Sequence, residues 1–269
     1  MDQVLPVVVK TVLGGVLVVT FAVLAQTLQP KRFAGVFAAA PSVALASLTV
    51  TVLAKGPSDA RADCAGMIAG AAGFVVYCLV APASMRRWRP LPGSIVALVG
   101  WLAATAAVLP AAAATPAAKA AAGAGLARLE RRNPDRPPLR MRAAALREGR
   151  PRDWLIRFGF GAGTSLLAAV IGVVAGPVVG GTLLAFPAIL LASLTMVAKE
   201  DGAARSRDDA RGATFGALGL VAFAVLGAVC FGGVATPLVF AVCAAGWAVA
   251  GVGSFLLAWR LGAGADEPA

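Results

Sequence analysis

The chain has 269 residues, of which 59% are hydrophobic and 14% charged, with a mean hydropathy of +0.82. Soluble domains carry roughly a quarter charged residues, so this balance excludes an ordinary water-soluble globule and points to a polytopic membrane protein. The formal net charge of +11 does not make nucleic acid the expected partner, because most of the excess lies in one stretch, 119–157, with eleven bases and four acids.

In chain order, the first apolar block runs from Val4 to Leu28. It is too long for the h-region of a cleaved leader and reads as a span. The second, Phe33 to Leu53, contains Pro41, which removes a backbone hydrogen bond and kinks a membrane helix. After the turn 55–61 a third block runs from Asp63 to Pro82. A basic loop at 85–90 leads to the fourth, Pro92 to Ala114.

Residues 116–153 then change to Ala-, Arg- and Pro-rich sequence with too few apolar residues for a core. This segment reads as a cytoplasmic linker near anionic lipid head groups, which attract such basic runs. Four more blocks follow: Trp154–Ala175, Val178–Ala198, Gly212–Phe231 and Pro237–Trp259, with a polar tail at 262–269. The boundaries predicted are a first membrane unit at 1–115, the linker at 116–153, a second unit at 154–261 and the tail.

The two units share a pattern. Pro41-Ser-Val-Ala-Leu-Ala-Ser-Leu-Thr49 returns as Pro187-Ala-Ile-Leu-Leu-Ala-Ser-Leu-Thr195, an offset of 146 with six of nine positions identical. The glycine stripe Gly66, Gly70, Gly73 returns as Gly212, Gly216, Gly219. Arg61 and Asp63 return as Arg207 and Asp209, and Trp101 as Trp247. A constant offset over four blocks is the signature of an internal duplication. The fold class predicted is all-α, with eight transmembrane helices as two four-helix repeats. An even span count per unit, with the linker on one side, makes the repeats parallel. Counting basic residues by side then places both termini in the cytoplasm.

Each glycine stripe lies on one helix face and suits close backbone packing in lipid. Ser47, Thr49, Ser193 and Thr195 either bond back to their own helices or, with Pro41 and Pro187, line a substrate path. Trp101 and Trp247 lie too deep for an interfacial belt and read as packing or as the wall of that path. Asp63 and Asp209 read as helix caps, or as charge pairs with Arg61 and Arg207 at a cytoplasmic mouth.

No histidine is present, which removes the commonest zinc ligand and neutral-pH proton carrier. Cys64, Cys78, Cys230 and Cys243 form no C-x-x-C pair and read as small buried hydrophobes. No nucleophile motif, P-loop or zinc motif occurs. Neither an enzyme nor a cofactor or metal is expected.

The Pro41–Thr49 segment with the Asp63 and glycine-stripe segment after it, and their second copies, resembles the small four-helix bacterial inner-membrane proteins known only as a domain of unknown function. The resemblance implies a plasma-membrane location and a tandem copy of that domain, and supplies no activity to carry over. Two functions fit the residues. One is a transporter- or channel-like permease for a small solute. The other is a non-transporting scaffold or accessory subunit whose basic linker docks anionic lipid or an acidic partner. Either function is compatible with a homo-oligomer or a membrane partner.

Overall fold

The computed structural model describes residues 4–114, 140–141, 151–187, 189–191, 194, 198 and 202–261. In the N-terminal half, helix α1 spans Val4–Thr27. A two-residue strand, β1 (Leu28–Gln29), and a cis Gln29–Pro30 bond lead into α2 (Lys31–Ala38). Then come α3 (Ser42–Lys55), α4 (Pro57–Arg87) and α5 (Pro90–Ala114). Strand β2 (Arg140–Met141) pairs antiparallel with β1, Leu28 opposite Met141. In the C-terminal half, α6 is Pro151–Val174 and α7 is Pro177–Thr182, continued by a 3-10 turn at Leu183–Ala185. Next come α8 (Ala203–Cys230), α9 (Thr236–Trp247), a π-helical turn (Ala248–Val252) and α10 (Gly253–Arg260).

Among the described residues, seven helical segments are long and apolar enough to cross a membrane, and Pro177–Leu191 is a shorter apolar one. The span predicted at 178–198 is therefore described only in part. The expected linker lies outside the described residues except at 140–141 and 151–153, and the tail beyond Leu261 lies outside them too.

The third and seventh blocks begin earlier than the hydropathy suggests. α4 starts at Pro57 and α8 at Ala203, each behind a glycine with positive φ: Gly56 at 94° and Gly202 at 92°. A side chain is disfavoured there. Pro57 suits the first helical position because its missing N–H would be unpaired anyway. The 31 residues of α4 make roughly 46 Å of helix, longer than the ~30 Å hydrocarbon core. The polar turns Ser58–Arg61 thus extend the helix beyond the apolar block instead of forming a separate loop.

The layers follow from the glycine and alanine content. Only 22% of the apolar window of α1 is buried, against 72% for Arg32–Lys55 and 61% for α4. The interior is therefore α2, α3, α4, α7 and α8. The flanking α1, α5, α6 and α9 turn Val8, Val12, Val99, Leu102, Leu155 and Leu238 outward. Such exposed apolar helix faces suit lipid, not water. Cys64, Cys78 and Cys243 are buried and Cys230 is half-buried, all as free thiols.

The halves are not parallel. Gly66 and Gly70 of α4 face the carbonyls of Val178 and Thr182 in the same order, so α4 and α7 run in one direction. The chain reverses before α8, where Ser206 Oγ donates to Leu194 O at 2.8 Å. α8 therefore runs against α4, and Cys64 near the start of α4 meets Gly227 near the end of α8. α1 and α6 also cross in opposite directions, Gly14 against Ser165 and Val18 against Gly161. The parallel arrangement predicted from an even span count is thus corrected to an inverted one.

The prediction failed because it placed both ends of the linker on one face. α5 runs back along α4, with Gly93 at Met85 and Gly73 at Trp101, so Ala114 ends level with the start of α4. Arg140 pairs with Gln29, at the opposite end. The first described residue, Val4, and the last, Leu261, likewise lie at opposite ends, correcting the placement of both termini on one side.

Single cysteines in a background without the four native ones test this arrangement. Positions 58 and 233 should react with an impermeant maleimide from one side of the membrane, and 89 and 202 from the other. Labelling of 58 and 202 from the same side would restore the parallel arrangement.

A polar cleft beside two broken helices

The first two glycines of each stripe sit at interfaces between the halves. A Cβ built on Gly66 or Gly70 would overlap the carbonyl of Val178 or Thr182. One built on Gly212 or Gly216 would overlap that of Arg32 or Val36. Gly35 and Gly181 answer from the other side, against the carbonyls of Asp209 and Asp63. The backbones of α4 and α7, and of α8 and α2, thus touch with no side chain between them, as small residues permit in lipid. Gly73 and Gly219 face Trp101 and Trp247 within their own halves, each Cβ position 2.7 Å from the tryptophan carbonyl.

The prolines break their helices outright. Pro41 separates α2 from α3, and Pro187 follows the 3-10 turn after α7. Pro41 has no N–H to offer the carbonyl of Phe37. The N–H of Ala40 meets that carbonyl instead at 3.1 Å, in a tightened turn. α3 then restarts with Leu45 N–H to Pro41 O at 2.8 Å, and Leu191 N–H meets Pro187 O at the same distance. The two breaks face one small chamber lined by Ala38, Ala40, Val43 and Phe74 from one half and Leu184, Phe186, Ile189 and Leu220 from the other. Trp101 and Trp247 stand behind it. Trp101 donates Nε1–H to Gly70 O at 3.0 Å and stacks edge-on against Phe186 at 5.3 Å, while Trp247 meets Phe37 at 5.6 Å.

A narrow polar cleft opens at the end where α4 begins. Its wall joins three elements of the first half to α6 and α7 of the second. Lys10 of α1 donates from Nζ to Thr51 Oγ1 at 2.7 Å, and Thr51 donates to Asp63 Oδ2 at 2.9 Å. Thr51 is 2% exposed and Asp63 8%. Ser47, one turn below Thr51 on α3, lines the same cleft, and its buried hydroxyl has no hydrogen-bond partner among the described residues. Lys55 and Asp59 stand at the mouth, and Gly172, Pro177 and Gly180 form the far wall.

The opposite end is built differently. Asp208 is fully buried and accepts Arg32 Nε at 2.8 Å and Arg211 Nη1 at 3.2 Å. This ties α2 of one half to α8 of the other. Arg157 is buried as well.

Several site expectations change. Asp63 and Asp209 are not caps, because Gly56 and Gly202 hold the cap positions and the aspartates lie nearly two turns inside. Asp63 does not pair with Arg61, which is exposed and two residues away, on a different helix face. Nor do the two aspartates share a cytoplasmic mouth. The 18 residues from Asp209 to Gly227, which lies level with Cys64, separate them by roughly 27 Å along α8. Thr49 is exposed and bonds back to Leu45 O at 2.7 Å, so only Ser47 of that pair faces the cleft. Ser193 and Thr195 lie outside the described residues. Sequence reasoning passed over Thr51, Asp208 and the role of Lys10. An ionisable residue inside an apolar block is the available signal for Lys10, whereas Thr51 and Asp208 acquire meaning only from their partners.

Residues 7–113 match a family model described as "Protein of unknown function (DUF3147)". The similarity covers the N-terminal four-helix half, including Lys10, Ser47, Thr51 and Asp63. No curated protein and no solved structure matches the chain.

Two stability predictions follow from these contacts. Gly66→Ala should cost about 1–3 kcal/mol by overpacking, while Gly159→Ala, where a Cβ meets nothing within 4 Å, should be close to neutral. Thermal unfolding in detergent reads both, and equal melting temperatures would contradict the packing described. For the cleft, Lys10→Met and Asp63→Ala should each destabilise by about 1–3 kcal/mol, since each strands a buried polar partner. The double variant should lose less than the sum by about 1 kcal/mol. Strict additivity would mean that the two charges do not support each other.

Proposed function

We propose that the chain is a permease for a small polar solute, built from two inverted copies of one four-helix unit. The carrying observation is asymmetry. A polar cleft descends from one end to the buried hydroxyl of Ser47, while the Asp208 ion cluster ties α2 to α8 at the other end. Between them lie two broken helices, facing each other across the chamber. Inverted repeats with discontinuous helices near the midplane are the architecture of many secondary carriers, because a break frees backbone polar groups for a solute and the repeats can rock about it.

The duplication is supported by contacts that recur when 146 is added to or subtracted from both partners. Gly66 with Val178 becomes Gly212 with Arg32, and Gly70 with Thr182 becomes Gly216 with Val36.

Orientation rests on charge. Bases at 31–32, 86–89, 152–157, 205–211 and 260 gather at one end of the bundle, and only Lys10, Lys55 and Arg61 of the described bases lie toward the other. The crowded end is the cytoplasmic one by the positive-inside tendency, in a plasma membrane, with Arg260 inside and Val4 outside. The polar cleft then faces outward.

A second reading, a non-transporting scaffold, draws support from the tight glycine contacts between the halves. Reconstitution separates the two. Proteoliposomes loaded with a mixture of amino acids, sugars and organic acids should show counterflow of at least one solute above protein-free vesicles. An Asp208→Asn variant that unties the closed end should change its rate several-fold. No flux of any solute from folded, correctly inserted protein would favour the scaffold.

A further inference from the structure

We infer that the outer cleft is a recognition site for a short zwitterion, a solute carrying an ammonium and a carboxylate one or two carbons apart. This deepens the permease reading and rests on it for its purpose, though not for its geometry. The polar lining consists of two cations (Lys10, Lys55), two carboxylates (Asp59, Asp63) and two hydroxyls (Ser47, Thr51), so its formal charge is zero. A solute with net charge would enter a partly desolvated site with nothing to balance it, which is costly. A solute with both charges can be matched at both ends.

Spacing narrows the class further. Lys10 and Asp63 are joined through one hydroxyl by two hydrogen bonds in series, 2.7 and 2.9 Å. The charges therefore stand no farther apart than the sum of those lengths. A short zwitterion replaces that bridge: its carboxylate draws Lys10 from Thr51, and its ammonium takes Asp63. The Thr51 bond uses only Oδ2 of Asp63. The unpartnered hydroxyl of Ser47, 1% exposed, supplies a further donor at the floor of the cleft. Breaking the Lys10–Thr51 link also removes a polar tie between α1 and α3, so the solute differs in affinity between a bridged and an unbridged state, as any ligand that shifts a conformation must.

The test is equilibrium binding to the full-length protein in lipid nanodiscs, with glycine and alanine against acetate, ethylamine and 6-aminohexanoate. Glycine or alanine should bind at least tenfold more tightly than each of the other three. Asp63→Asn and Lys10→Gln should each weaken binding tenfold or more. Ser47→Ala, which spares the Lys10–Thr51–Asp63 bridge, should weaken it several-fold, and Thr49→Ala should not change it. Acetate or ethylamine binding as tightly as glycine would overturn the zwitterion assignment. So would binding unchanged by Ser47→Ala and Asp63→Asn, or no glycine or alanine binding at all. Glycine or alanine binding without counterflow would support the site and sink the permease reading. Counterflow of another solute without glycine or alanine binding would do the reverse.

Discussion

The structure depends on backbone meeting backbone between its two halves. In lipid, a helix gains nothing by hiding an apolar side chain from a solvent that is itself apolar, so association rests on close dispersion contact and polar links. Gly66 and Gly70 let α4 seat on the carbonyls of α7, and Gly212 and Gly216 let α8 seat on those of α2. Because each stripe grips a segment from the opposite half, the halves interlock. Neither presents a finished interior without the other.

That interlock decides where the breaks go. α2 and α7 are held along their backbones by the facing helices, while α3 crosses toward α1. Pro41 and the residues before it absorb the change of course, and Pro187 sits at the corresponding place. The breaks meet at the chamber because the segments bearing them are clasped by opposite partners. A region of irregular backbone at this depth is tolerated only when protein covers it or it lines a cavity, and here Phe74, Phe186 and Leu220 cover it.

The charged residues then sort by end. At one end a carboxylate, a hydroxyl and an ammonium form a chain within the first half, roofed by glycine and proline of the second. At the other end a buried carboxylate draws arginines from both halves. The positions that correspond to Asp208, Arg211 and Lys10 under the 146 offset are Ala62, Ala65 and Ile156. The glycine contacts recur under that offset while these three charges do not, and the two ends of the molecule differ chemically.

The sequence alone determined the helical, membrane-spanning character, the repeat of the glycine, proline and tryptophan positions, and the glycine faces as places of close approach. These follow from periodicity and from what lipid does to an unpaired backbone. It did not determine direction. A repeat pattern reads the same whether its copies lie parallel or inverted. The usual inference from an even span count assumed that residues 114 and 140 lie at one end, which the pairing of Arg140 with Gln29 and the antiparallel crossing of α1 and α6 corrected. Lys31, Arg32, Arg86, Arg87 and Arg89 are a legible objection, since a parallel arrangement leaves them on the side away from most other bases. Nor could the sequence tell that Asp63 faces inward. Helix propensity cannot say whether Ser58–Arg61 ends a loop or begins a helix, and Gly56 with Pro57 settles it by starting α4 two turns early. Lys10, Thr51 and Asp63 come from three different helices, 41 and 12 residues apart in sequence, so their meeting is a product of tertiary packing.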